Sequence, residues 1–392
     1  MTITDNRPII EKESYDIIVV GGGISGIAAA VAAARYGMKV LLLEKQIILG
    51  GLATGGLISY YEPLCDSCGK QMTYGIAEEL IKLSIQDGFD TLDADWKEKT
   101  ENHRSPYATF YSPTAFSLVL DEYMQTNGVD IRFDSHAVFP VMDGKLCKGV
   151  VVESKGGKEF YSAKAVIDAT GDAEIADKAG VPTEIGTNLL VGMAHYTERI
   201  LAREYANGGK AHKFRKWLHT VNASEESQKC WTGVSSEDIT EFVLKGHKAI
   251  LSKIRQKENG EREVMMLPTM PQYRTLRRIV GKKVFCGIPN EKIEDCIGHC
   301  GDWRKVNCHY SLPYGSLYNP SFPNLWAVGR IISTDEKEGW EVARVIPVCA
   351  LTGQAAGTAA TICIRKGYEA DTLPISALQE RLRNDGVWIE TK

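Results

Sequence analysis

An α/β fold is predicted by three observations. The chain opens with a strand, glycine turn, helix and second strand in close succession. Short strands separated by Asp-Gly and Gly-Gly turns follow over 131–169, and a strand and long alanine-rich helix return near the end. Tyr15–Val20 is a β-branched run, and Gly21-Gly22-Gly23-Ile24-Ser25-Gly26 follows at once. An alanine-rich helix is expected over Ile27–Tyr36, closed by Gly37, and an apolar strand over Lys39–Leu43 ends in Glu44. This order is that of a βαβ unit. Pro113–Thr126 reads as a helix with proline in its first turn, ending before Asn127-Gly128. Strands are expected at Ile131–Asp134, Ala137–Met142, Cys147–Ser154, Glu159–Ser162 and Ala165–Ala169, with hairpin turns at Asp143-Gly144 and Gly156-Gly157. The segment 181–320 is less regular, holds a helical patch at Ser236–Gln256, and reads as a separate unit. Leu325–Val328 is again a strand, and Pro347–Lys366 a helix stopped by Gly367.

At 392 residues the chain is long enough for two or three domains at about 150 residues each. Hydrophobic residues at 44% and charged residues at 24% exclude global disorder. A net charge of −4 gives no basic field for nucleic acid or anionic lipid. The longest apolar stretches, Ile17–Val31 and Val40–Leu43, fall short of a membrane span. Met1–Ser14 lacks the apolar core of a signal peptide, and ten cysteines are too few for a disulfide scaffold. A soluble cytoplasmic protein with reduced thiols is expected, without nucleic-acid or membrane partners; oligomerisation stays open.

Gly21-x-Gly23-x-x-Gly26 has the spacing of a dinucleotide turn. Its glycines serve a tight turn, close backbone approach to a pyrophosphate, and helix-on-strand packing. Any Cβ at Gly23 would stand where phosphate oxygens come, and the free N–H groups of the following helix face the same anion. Ile24 and Ser25 lie within this turn and count with it. Glu44, 18 residues after Gly26, is placed to accept both ribose hydroxyls and argues against a 2′-phosphate.

Four segments carry a family resemblance: Asp16–Lys45; Gly50-Gly51-Leu52-Ala53-Thr54; Ala169-Thr170-Gly171-Asp172; and Tyr310–Gly357. The last contains Leu312–Leu317, Asn324–Arg330 and Leu351–Gly357. On these the chain resembles the bacterial FAD-dependent oxidoreductases whose flavin domain is like that of p-hydroxybenzoate hydroxylase. The resemblance implies a Rossmann-like FAD-binding domain with an inserted β-meander, plus a smaller α+β substrate domain. The FAD domain would be discontinuous, 14–180 and 322–370, with a substrate or cap domain at 181–321 and a helical tail at 371–392. It also implies FAD contacts from Lys45, Gly50, Gly51, Ala53, Thr54, Val138 with Ala137, Ala169, Thr170, Gly171, Gly329 and Arg330. No second Gly-x-Gly-x-x-Gly follows a strand, which disfavours a separate NAD(P)H domain. Reducing equivalents would then come from a small organic substrate or pass to a separate electron acceptor.

Reduction places negative charge on the flavin N1–C2 carbonyl region, and the helix starting near Pro347 would aim its positive end there. Gly353 and Gln354 would reach the flavin only if that helix breaks or begins near Leu351. Hydride transfer at flavin N5 also needs a group to exchange a proton. Candidates are His299, His309 and Tyr310, just before Leu312–Leu317; His309 has a suitable pKa range. Arg274, Arg277 and Arg278 form a cluster from which one member could anchor an anion, and Arg344 is a further candidate. Salt bridges on a strand face are the plain alternative for the arginine cluster. Relatives often carry a basic residue where this chain has Gly315, so no anion-binding role is carried over there.

Cys65-x-x-Cys68 suits a redox dithiol, half a zinc site, or ordinary loop thiols. Cys296, Cys300 and Cys308 would complete a site only if the two regions meet. No metal is assigned. The expected activity is FAD-dependent oxidation or reduction of a small organic molecule. A thiazole-synthase-like or quinone- or thiol-linked flavoprotein is the alternative, and a non-catalytic FAD-binding partner protein is the alternative of another class.

Overall fold

The computed structural model describes residues 7–98, 107–221, 229–258 and 260–390. The first six residues of the N-terminal segment read above therefore lie outside the described residues. Strand β1 (Tyr15–Val20), helix α1 (Ile24–Ala34) and strand β2 (Val40–Leu43) form the expected parallel unit, with Ile17 opposite Val40 and Val20 opposite Leu43. Helix α1 begins three residues earlier than its apolar pattern suggests, because the glycine turn is compact enough for Gly23 to be the N-cap. Helix α2 (Ile76–Gln86) precedes α3 (Pro113–Thr126), whose Ser112 Oγ accepts from the Ala115 N–H at 3.5 Å. Strand β3 (Asp130–Arg132) then pairs in parallel with β2.

Strands β4 (His136–Asp143), β5 (Leu146–Ser154) and β6 (Gly157–Asp168) form an antiparallel meander. The two strands expected at Glu159–Ser162 and Ala165–Ala169 are one continuous β6. Its first half pairs antiparallel with β5 and its second half parallel with β1, from Ala163 opposite Tyr15 to Asp168 opposite Val20. One strand therefore belongs to both the meander and the parallel sheet, and no turn is needed between them. The main sheet runs β3-β2-β1-β6-β5-β4.

After helix α4 (Glu174–Ala179), strands β7 (Val191–Glu198), β8 (Lys216–Val221) and β9 (Arg262–Met266) make a separate antiparallel sheet. Helix α5 (Ser236–Ile254) packs on it. A hairpin of β10 (Cys296–Gly301) and β11 (His309–Pro313) follows. Strand β12 (Leu325–Ala327) then returns to the main sheet beside Val166–Asp168 of β6. Helices α6 (Ile346–Lys366) and α7 (Ile375–Asn384) complete the described chain.

Alternation along β1 splits the core into two layers. Ile17 and Val19 join α1 and α6, while Ile18 and Val20 join Val150, Val166 and Ile175 on the opposite face. Helices α1 and α6 cross at small residues. An added Cβ at Gly353 would strike the Ser25 carbonyl, and one at Gly357 the Ala29 carbonyl. Among the described residues α6 alone is long and apolar enough to cross a membrane, a length the sequence reading did not credit; 83% of its most apolar stretch is buried inside the chain.

Candidate active site

One cleft collects the ends of β1, β2 and β6, the starts of α1 and α6, and side chains from the segments around residues 60, 217 and 274. At β1, Gly21 has φ +105°, and a Cβ there would strike the Ala169 carbonyl. Gly26 lies hard against the Gly21 carbonyl, whereas nothing stands within 4 Å of a Cβ built at Gly23. Gly23 thus leaves an open cradle before the first turn of α1, whose N-cap has no side-chain hydrogen bond. Ile24, Ser25, Gly50, Gly51 and Ala53 line the same space.

Glu44 is fixed by the Gly22 N–H at 2.7 Å and the Gln46 N–H at 2.8 Å, and it lines the cleft with Lys45. Lys45 pairs with Glu174 at 3.3 Å. On the facing side, buried Asp168 accepts from Thr170, Ile175 and Ala176 and shapes the turn that presents Ala169, Thr170 and Gly171. Arg330 lies over Gly171, donates to Asp172 at 2.8 Å, and keeps its buried Nε without a partner. Ser135, His136 and Ala137 line the cleft at the start of β4.

Five expected contacts lie behind this surface. Val138 is the residue after Ala137 on β4, and the cleft takes Ala137 instead. Thr54 donates its hydroxyl to the Leu49 carbonyl and supports the loop. Gly329 backs onto Ser25. Gly353 and Gln354 sit inside α6, which runs unbroken from Ile346. Gly353 packs on α1, and Gln354 Oε1 accepts from the Ile76 N–H at 3.0 Å. Val345, Ile346 and Cys349, at the start of that helix, reach the cleft in their place.

Beyond Arg330 the lining becomes Ile58, Tyr60, Glu62, Trp217, Met270, Arg274 and Arg344. Burial pushes the Glu62 carboxyl up to about 7 against the opposing pull of Arg344 and Arg274, and Glu62 Oε2 has no hydrogen-bond partner. Burial, then repulsion from Arg344 and Arg330, lowers the Arg274 guanidinium to about 10. Arg344 pairs with Glu341 while its Nε stays buried and unpartnered. Sequence reasoning missed Glu62; the available signal was a single carboxylate inside the apolar run Leu57–Leu64.

The other proton-transfer candidates do not line the cleft. His299, His309 and Tyr310 stand on the β10–β11 hairpin. The His299 ring packs at a tilt against Trp388, centroids 4.3 Å apart, and its Nδ1 lies 3.3 Å from Ser311 Oγ, while the His309 ring lies 5.4 Å from that of His299. Burial lowers His299 to about 4 and also lowers His309. Tyr310 is fully buried and donates to Asp302 at 2.6 Å; burial and that bond raise its pKa. Of the arginine cluster, Arg277 pairs with Asp177 and Arg278 with Glu184 and Glu336, so only Arg274 turns to the cleft. The two cysteine regions do meet, since Asn307 N donates to the Asp66 carbonyl at 2.9 Å and Gly301 packs on the Cys65 backbone. Among the described residues no three metal-ligating side chains converge.

An open glycine cradle, a carboxylate beyond the second strand and a buried Nε on Arg330 define a dinucleotide-cofactor enzyme. A family model described as FAD dependent oxidoreductase matches residues 16–191 and 203–382, and the chain belongs to that family. Its cofactor is FAD. It is 26% identical over 195 residues to the thioredoxin reductase of Ureaplasma parvum, covering 49% of this chain and 63% of that protein. It thus spans a little under two thirds of that relative's length. It is also 26% identical over 207 residues to the thiamine thiazole synthase of Saccharolobus islandicus, covering 50% of this chain and 70% of that one. The fold is similar to that of the p-nitrophenol 4-monooxygenase of Pseudomonas putida, with a TM-score of 0.51, 13% identity, and 97% and 90% of the two chains covered. The residues fit FAD: the Gly23 cradle and Arg330 Nε would hold the pyrophosphate, and Glu44 the ribose.

Proposed function

We propose that this chain oxidises or reduces a small organic molecule, and that Glu62 exchanges the proton that accompanies the redox step. Bound FAD supplies two-electron chemistry by hydride transfer at its N5 atom. The observation that carries the proposal is the Glu62 carboxyl beside Arg274 and Arg344, with one oxygen unpartnered and a pKa pushed up to about 7. A group poised there gives up or takes a proton at little cost near pH 7. Ile58, Tyr60, Trp217 and Met270 give that end an apolar wall, which limits water around Glu62. The start of α6, with Arg344 and Arg330, adds positive potential that favours negative charge in the cleft. The meander inserted between the parallel strands supports the p-hydroxybenzoate-hydroxylase-like subtype and the discontinuous FAD domain. The single glycine turn in the sequence supports a separate electron acceptor. The thiazole synthase match supports, as a second reading, that a related assembly reaction uses the same frame.

The test is anaerobic addition of sugars, hydroxy acids, amines and thiols to the FAD-loaded protein. Bleaching of the visible flavin band by one class, slowed in Glu62→Gln, is the expected result. Intact bound FAD with no bleaching by any class counts against the redox reading. Unchanged bleaching rates in Glu62→Gln remove Glu62 from it.

A further inference from the structure

We infer that the Glu62 end of the cleft is built for a monoanionic carboxylate with an apolar body, seated on Arg274. The inference rests on the redox reading above and supplies the substrate class that it lacks. The backbone around Arg274 is pinned: Asn188 Oδ1 accepts from Arg274 N at 2.7 Å and from Thr275 N at 3.1 Å. Its side chain lines the cleft, and among the described residues no ion pair or side-chain hydrogen bond engages the guanidinium. Its sequence neighbours Arg277 and Arg278 are both salt-bridged. A half-buried guanidinium that faces the cleft without an ion pair is free to take an arriving carboxylate through two parallel N–H bonds.

The neighbouring charges set the ligand's charge. Arg344 is offset by Glu341 and Arg330 by Asp172, so when Glu62 is protonated Arg274 is the cation left without a counter-charge at this end. One ligand charge neutralises it. A dianion such as phosphate would bring a second charge toward Glu62 and Glu341. Ile58, Tyr60, Trp217 and Met270 offer carbon surface for the remainder of the ligand.

The experiment uses FAD-loaded protein titrated with benzoate, benzamide, pentanoate, pentanamide and inorganic phosphate. Binding is read by calorimetry and by perturbation of the visible flavin spectrum. At least one of the two carboxylates is expected to saturate, its amide to bind about tenfold or more weakly, and phosphate not to displace it. Arg274→Met should weaken that carboxylate about tenfold or more with FAD content and unfolding midpoint unchanged, and Arg274→Lys should recover part of the loss. An amide that binds as well as its acid, competition by phosphate, an unaffected Arg274→Met, or no saturable binding by either carboxylate overturns the inference. The two readings separate cleanly. Carboxylates that bind through Arg274 while no organic compound bleaches the flavin leave the anion site and remove the redox reading. Bleaching by a neutral compound, unaltered in Arg274→Met, does the reverse.

Discussion

The cleft and the hairpin behind α6 use the same residue types to opposite ends. In the cleft, Gly23 faces open space, and Glu62 and Arg274 keep hydrogen-bonding capacity unused. Behind it, Gly353 is pressed against the Ser25 carbonyl, and His299 is enclosed by Trp388, His309 and Ser311. Between these two regions, unspent capacity lies on the working side and consumed capacity on the scaffold. Substitutions in the first region should therefore alter chemistry or binding while sparing stability, and those in the second should do the reverse.

The sharpest way to break this contrast is Glu62→Gln. Turnover should fall about 100- to 10,000-fold with FAD retained, as measured under saturating substrate. In wild-type protein, a step that needs Glu62 as a base should accelerate as pH rises through about 7, and the variant should lose that limb. The stability sign is opposite. Because the folded-state pKa is raised, folded protein binds the extra proton, so this group's contribution falls as pH rises from its ordinary value of 4.5 through about 7. Denaturant titration above pH 7 should accordingly find Glu62→Gln no less stable than wild type.

Next in size, Gly353→Val should cost about 3 kcal/mol or more of unfolding free energy by overpacking the α1–α6 contact, seen as a lowered denaturation midpoint. Gly23→Ala tests the other glycine. Its extended φ of −71° suits alanine, so apoprotein stability should stay within about 0.5 kcal/mol, while FAD affinity drops about tenfold by equilibrium dialysis. Smallest is Trp388→Leu, which should lose about 1 kcal/mol of stability with turnover unchanged. A large catalytic loss there would return His299 and His309 to the chemistry and overturn the contrast.

Local patterns were legible. The β1–α1–β2 unit, the residue limits of Pro113–Thr126 and the glycine turn are visible because strand period, capping and turn chemistry act within a few residues. The continuous β6 was not legible, since the pairing partner that changes halfway along it is supplied by distant strands. Gly353 and Gln354 read as flavin contacts by motif, yet their partners are Ser25 and Ile76, remote in sequence.

By itself, then, the sequence determined the α/β class, the dinucleotide turn and the FAD family, because each is written in short segments whose internal spacing has a local physical cause. Only the tertiary structure decided which polar groups are spent. Arg278 and Arg274 are four residues apart and identical in chemistry. One is held by Glu184 and Glu336 with only its Nε left over, while the other is left to the cleft beside Glu62. A side chain's partners come from every element packed around it, and those are assembled only when the distant parts of the chain meet.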